Sequence, residues 1–217
     1  MSNILFQIQK GNIFNLLIFH RTYKANSMRE SQEFCFKIAV IGDSQVGKTS
    51  LMDKFTKKSF DRDNGRTFGV KVSMFNSEIE GNLIKLGIWD IAGGTKYHFL
   101  LPGFLKESKA AILVFSLEDN DLGKESFIHI PEWHKEILKN CGEIPVFIFA
   151  NKVDLVNENK LSESRIKNLV EEYNFRGYYL TSAMSESVIR ILKVISKELY
   201  EENRVLHLEF KDNNQSK

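Results

Sequence analysis

The chain has 217 residues, 42% hydrophobic and 27% charged, with 30 basic against 28 acidic residues and a formal net charge of +2. That length suits one globular domain with tails, and the apolar content supplies a core, so the chain falls in the soluble globular class. A charge this near balance gives no reason to expect a nucleic-acid partner, and two cysteines without metal-ligand spacing exclude a disulfide framework and point to a reducing, cytoplasmic setting.

Residues 1–28 interleave Ile4, Leu5, Phe6, Ile8, Ile13, Phe14, Leu16, Leu17, Ile18 and Phe19 with polar residues and carry no acidic side chain. The apolar run over 13–19 falls well short of the roughly 20 residues a bilayer span requires, and neither a basic start nor a small-residue cleavage site is present. Two readings stay open: an extra element packing on the domain or on a membrane surface, or an upstream extension of a protein that begins at Met28. The expected organisation is an N-terminal extension over 1–33, a nucleotide-binding domain over 34–203 and a polar tail over 204–217.

Residues 34–41 read as a strand buried on both faces, followed by a helix over 48–57 that carries Leu51, Met52 and Phe55 inward. Residues 71–80 and 83–89 flank Gly81-Asn82, a short connection that predicts a hairpin and hence one antiparallel pair. Apolar strands are expected at 110–115, 146–149 and 178–180, with helical stretches between them. In the last helix Val188, Ile191, Leu192, Ile195 and Leu199 share one face, while Lys193, Lys197, Glu198 and Glu201 face away. This alternation predicts an α/β domain: a sheet of about six strands, mostly parallel, one antiparallel strand at its edge, helices on both faces.

Directly after the first strand stands Gly42-Asp43-Ser44-Gln45-Val46-Gly47-Lys48-Thr49, the phosphate-loop pattern in its strand-loop-helix setting. Backbone N–H groups at a helix N-terminus can surround phosphates, Lys48 can reach the outer phosphates, and the Thr49 hydroxyl can bind Mg²⁺. Ser44, Gln45, Val46, Gly47, Lys48, Thr49 and Ser50 are therefore candidate nucleotide contacts. In Trp89-Asp90-Ile91-Ala92-Gly93 the Asp90 carboxylate ends an apolar strand and is a candidate for the Mg²⁺ shell. An isolated strand-end Asp more often caps a turn; the accompanying phosphate loop reverses that preference.

Asn151-Lys152-Val153-Asp154 follows a buried strand, where one carboxylate can accept both the ring N–H and the exocyclic amine of guanine. Adenine would leave that carboxylate facing a ring acceptor, a penalty of about 1–3 kcal/mol. Asn151 is expected to tie loops together, the Lys152 stem to cover the base, and Thr181-Ser182-Ala183 to offer a backbone N–H to the guanine carbonyl.

With these motifs in this order the sequence resembles the Ras superfamily, and the Rab branch in particular, from about residue 36 to residue 200 with a short insertion near 118–124. The resemblance implies a phosphate-loop NTPase fold, GTP/GDP as ligand with Mg²⁺, and slow GTP hydrolysis with Lys48, Thr67 and Gly93 as the catalytic set. It implies Mg²⁺ held by Thr49, Thr67 and Asp90, Phe60 stacked on guanine, and Ser182, Ala183 and Met184 beside the base. It also implies effectors, exchange factors and GTPase-activating proteins that read switch segments over 60–67 and 93–106, with Trp89 and Phe68 either exposed contacts or ordinary packing. Three departures stand out: Gly94 where the family has a water-orienting glutamine, followed by Thr95; Met184 in place of a lysine; and a C-terminus ending Asp212-Asn213-Asn214-Gln215-Ser216-Lys217 without a cysteine for lipid attachment. Membrane association is then expected through the N-terminus or a partner. Gly94 leaves a second reading open, a GTP-binding scaffold with little turnover.

Overall fold

The computed structural model describes residues 31–55, 69–94, 99–156 and 163–215, with backbone alone for residue 55 and residues 206–215. The chain divides into Met1–Gln32 and Glu33–Lys217, and the sheet and helices of the described residues belong to the second. The readings made of residues 1–28, and of Phe60, Thr67, Phe68 and Thr95, lie outside the described residues.

Six strands form one sheet: β1 Glu33–Ile41, β2 Val70–Ile79, β3 Asn82–Ile91, β4 Ala110–Ser116, β5 Val146–Asn151 and β6 Gly177–Thr181, in the order β2-β3-β1-β4-β5-β6. Every pairing is parallel except β2 with β3, the antiparallel hairpin that forms one edge. The helices are α1 Lys48–Phe55, α2 Leu101–Leu105, α3 Asp121–Ile128, α4 Ile130–Cys141, α5 Glu163–Glu172 and α6 Ser187–Gln215, with a 3-10 turn at Val153–Leu155.

The apolar strands are continuous in hydrophobicity because both faces of the sheet are covered. On one face Ile38, Val40, Ile112, Val114, Phe147 and Phe149 meet Leu51 and Met52 of α1 and Val188, Leu192 and Ile195 of α6. On the other, Ala39, Ile41, Leu113, Phe115 and Ile148 meet Ile130, Trp133 and Ile137 of α4 and Ile166 and Leu169 of α5. The inward face expected of the last helix is buried, and that helix runs on to Gln215, through most of the segment read as a polar tail. Among the described residues, no helix is long and apolar enough to cross a membrane.

The hairpin turn sits one residue earlier than the sequence signal placed it. Ile79 pairs with Asn82, so the turn residues are Glu80 and Gly81, at φ of 51° and 78°. Two-residue hairpin loops of this hand need positive φ at both central positions; Gly81 takes one without penalty, and Asn82 joins the strand, its amide donating to the Tyr200 hydroxyl at 2.9 Å. The inserted segment after β4 gains its helix from a cap: the Asn120 side chain accepts the Gly123 N–H at 2.8 Å. α4 stops at Gly142, whose φ of 72° lets its N–H close on the Leu138 carbonyl.

Candidate nucleotide-binding site

In the strand order, β1 stands between β3 and β4, so the chain leaves it toward opposite edges. That is a topological switch point, and open α/β sheets bind ligands outside the carboxyl ends of their strands at such a point. The sequence motifs all lie at those ends: the phosphate loop after β1, Asp90 near the end of β3, Asn151 closing β5, and Thr181 closing β6.

The phosphate loop is packed too closely to admit side chains at its glycines. Gly42 has φ of 138°, and a Cβ there would lie 2.1 Å from the Val114 carbonyl oxygen. Gly47 has φ of 94°, and a Cβ there would lie 2.4 Å from Asn151 Nδ2. Gln45, between them, takes a left-handed φ of 68°, a conformation that costs a side-chain-bearing residue about 1–2 kcal/mol. Strain held in a loop of this kind aims backbone N–H groups inward, which is how an anion nest is built.

Lys48 is buried, 6% exposed, and its ammonium donates to the Gly42 and Asp43 carbonyls at 2.8 and 2.6 Å. Burial pushes its pKa down to about 8, against the pull of the Asp90 and Asp43 charges. One residue on, Thr49 donates its hydroxyl to Asp90 Oδ2 at 2.5 Å. Burial pushes the Asp90 carboxyl up, opposed by the Thr49 hydrogen bond and by the Lys48 and Lys71 charges. Its other oxygen, Oδ1, is buried without a hydrogen-bond partner among the described residues. A hydroxyl and a carboxylate oxygen with spare lone pairs make a hard-oxygen donor set, which fits Mg²⁺ or its water shell.

Asn151 joins the two halves of the site. Its amide donates to the Val46 carbonyl at 2.8 Å, its side-chain oxygen accepts from Thr181 at 3.3 Å, and its main-chain carbonyl accepts the Leu117 N–H at 2.8 Å. Lys152 is left-handed at φ 65° and its ammonium forms an ion pair with Glu118 Oε2. That pairing and the Ser116 hydroxyl hold the Glu118 carboxyl below the usual range. Asp154 lies on the 3-10 turn and is exposed. Ser182 is buried and accepts the Met184 N–H, Ala183 is half-buried, and Met184 is 64% exposed. Ser44 and Ser50 are half-buried and Val46 is fully enclosed.

Gly93 lies against the phosphate loop: a Cβ there would be 2.2 Å from the Gly42 carbonyl oxygen. Among the described residues nothing lies within 4 Å of where a Cβ on Gly94 would stand. Trp89 is half-buried beneath the Lys37 ammonium, 3.9 Å from its ring centroid, and tilts against Phe104.

Several residues around the site carried no sequence signal. Asp53 of α1 is buried and forms an ion pair with Lys71, which stands directly opposite Asp90 in the β2/β3 register. Thr49 and Asp53 are four residues apart on one helix face, so the two contacts form successive rungs between α1 and the hairpin. Asp43 is held by His129 and Trp133 of the α3/α4 region. A buried indole N–H needs an acceptor, which flags Trp133 but not its partner.

Compared with known protein families, residues 37–201 match the Ras family. The chain belongs to the Ras family. This Ras-family chain is 33% identical to the Ras-related protein Rab-30 of Homo sapiens over 159 residues, which is 73% of this chain and 75% of that protein. It is 30% identical to the Ras-related protein Rab-21 of Geodia cydonium over 168 residues, 77% of this chain and 72% of that protein. With the Ras-related protein Rab-1D of Dictyostelium discoideum it shares 33% identity over 148 residues, 68% of this chain and 71% of that protein. The fold is the phosphate-loop NTPase fold of small GTPases, and the relatives place the chain on the Rab branch.

Proposed function

We propose that this small GTPase is a Mg²⁺-dependent GTP/GDP switch with slow intrinsic hydrolysis, acting through its switch segments in a Rab-like trafficking or signalling role. The observation that carries the reading is the Thr49–Asp90 pair beside the buried Lys48, with Asp90 Oδ1 free to take up a metal-bound water. Thr49 and Asp90, joined by Thr67, would hold the ion, which would supply charge neutralisation for phosphoryl transfer. The Lys48 ammonium exchanges its two carbonyl partners for phosphate oxygens, and the N–H groups of the 44–50 loop bind the rest of the phosphate chain.

At the other end Asp154 accepts the two guanine N–H donors, the Lys152 stem covers one face of the base, and Phe60 stacks near it. The N–H groups over Ser182, Ala183 and Met184 address the guanine carbonyl. Gly93 backs onto the loop so that the backbone of the second switch segment senses the γ-phosphate, and effectors, exchange factors and activating proteins read the surface that results.

One observation favours a second reading, a GTP-retaining scaffold: Gly94 offers no side chain to orient the attacking water. Chromatography of the nucleotide released from the purified chain separates the readings. Bound GDP is the expected result, retained GTP supports the scaffold, and adenine nucleotide or none overturns guanine binding.

A further inference from the structure

Asp43, second residue of the phosphate loop, has both carboxylate oxygens engaged by ring nitrogens from the far side of the sheet. Trp133 Nε1 donates to Oδ1 at 2.7 Å, and His129 Nδ1 lies 2.7 Å from Oδ2. Trp133 is 7% exposed and shares the core with Ile130 and Ile137, so the clamp is fixed to a rigid helix. His129 stands at the α3/α4 junction with its backbone N–H on the Glu125 carbonyl and its side chain 41% exposed. The same Asp43 offers its main-chain carbonyl to Lys48 at 2.6 Å, and Gly93 is packed against that carbonyl, where a Cβ would lie 2.7 Å from the oxygen. One loop residue therefore links α4, the phosphate lysine and the first residue of the second switch segment.

Resting on the nucleotide-binding reading above, we propose that His129 and Trp133 are positioning residues for the phosphate loop, acting through Asp43, and that the charge on His129 sets how firmly the loop retains a nucleotide. A carboxylate beside a phosphate chain opposes anion binding, and an imidazolium on that carboxylate cancels its charge while making a charge-assisted hydrogen bond. Among the described residues the charged groups facing His129 are Asp43 from the loop, Glu125 from α3 and Glu132 from α4, all acidic, and the Asp43 hydrogen bond leads in raising its pKa. The imidazolium is present below that raised pKa and lost as pH rises through it, so retention weakens toward alkaline pH. By linkage, an anionic nucleotide raises the His129 pKa further, and its binding takes up protons in that range. Trp133 does not titrate and supplies the pH-independent half of the clamp.

The test is release of fluorescently labelled GDP, with Mg²⁺ present and excess unlabelled GDP as chase, from the full chain and its variants across about pH 5.5–8.5, the range in which imidazole titrates. Wild-type release should quicken about fivefold with rising pH, the difference between a charged and a neutral donor on one carboxylate. His129→Gln keeps a neutral donor and should give a flat profile near the wild-type alkaline rate. Trp133→Phe keeps the core aromatic and should release faster at every pH with the slope retained. A His129→Gln profile parallel to wild type overturns the inference while guanine binding stands. A wild-type chain that takes up no labelled GDP at any pH overturns the nucleotide reading, and this inference with it.

Discussion

Lys48→Met tests whether the phosphate site stores an unmatched charge. Lys48 sits 6% exposed with two main-chain carbonyls accepting from its ammonium, and burial brings its pKa from an ordinary 10.5 to about 8. At about 1.4 kcal/mol per pH unit, that fall is about 3 kcal/mol of burial cost on the charged form. The sign follows from proton counts. Below about pH 8 the folded and unfolded chains both hold the proton and the cost is present in full. Between about 8 and 10.5 the unfolded chain binds more protons, so nucleotide-free stability rises with pH; above 10.5 the contribution is gone.

Methionine removes the charge and the titration together. Near pH 7 the variant escapes the burial cost but forfeits two charged hydrogen bonds, about 1.5–3 kcal/mol each, so wild type should be the more stable by at most about 3 kcal/mol. Across pH 7 to 10.5 wild type should gain on the variant by about 3 kcal/mol, measured by urea unfolding with nucleotide and Mg²⁺ removed. A difference that stays flat over this range refutes the reasoning. With GDP and Mg²⁺ added, phosphate matches the ammonium and wild type should be the more stable at every pH, because the variant loses the ligand.

Asp154→Asn should weaken GTP binding about ten- to a hundredfold and admit xanthine nucleotide, whose carbonyl meets the new amide donor; equal GTP affinity in a competition assay removes Asp154 from the site. Gly47→Ala should lower the thermal midpoint and the guanine-nucleotide affinity together. Its Cβ would lie 2.4 Å from Asn151 Nδ2 at φ 94°, adding about 1–2 kcal/mol of backbone strain to a displaced Asn151–Val46 bond of about 1 kcal/mol; an unchanged midpoint contradicts the packing. Gly94→Gln meets no described residue at its Cβ, and the added side chain should speed single-turnover GTP hydrolysis several-fold or more by orienting water. A rate equal to or below wild type means that another group positions that water.

What was legible in the sequence is what local periodicity and local chemistry encode. β1 read as a mostly apolar run, and β4 and β5 as fully apolar ones, because each lies between two helical layers, and α6 showed its buried face because five apolar residues recur at helical spacing. The phosphate loop was legible because its glycines are required within eight residues of each other. The hairpin was found but shifted, since Gly81 and Asn82 both suit a turn and only the register of Ile79 with Asn82 decides which residues make it. The contacts that tune the site were not legible. Asp43 with His129 and Trp133, Lys152 with Glu118, and Lys71 with Asp53 join residues far apart in sequence through single hydrogen bonds. No periodicity marks such a pair, and each member alone looks like an ordinary surface charge or core aromatic.

These long-range contacts divide the site into two mechanical parts. The loop proposed to recognise the base and the phosphate loop meet through Asn151, whose amide holds the Val46 carbonyl and whose side-chain oxygen accepts from Thr181. Each of these bonds is buried, so breaking one strands a polar group at a cost of about 1–3 kcal/mol, and disturbance at the base end reaches the phosphate end directly. The hairpin is coupled differently. Its two rungs to α1 are Thr49–Asp90, which a metal would occupy, and Asp53–Lys71, whose lysine is one-third exposed. β2 leads directly from Gly69, whose carbonyl accepts the Ala92 N–H just before Gly93. On the proposed nucleotide-binding reading, a change in what Thr49 and Asp90 hold would act on a strand that follows residues 60–67 in the chain and is bonded through Gly69 to the residue before Gly93, while Asn151 would keep the nucleotide's two ends in register.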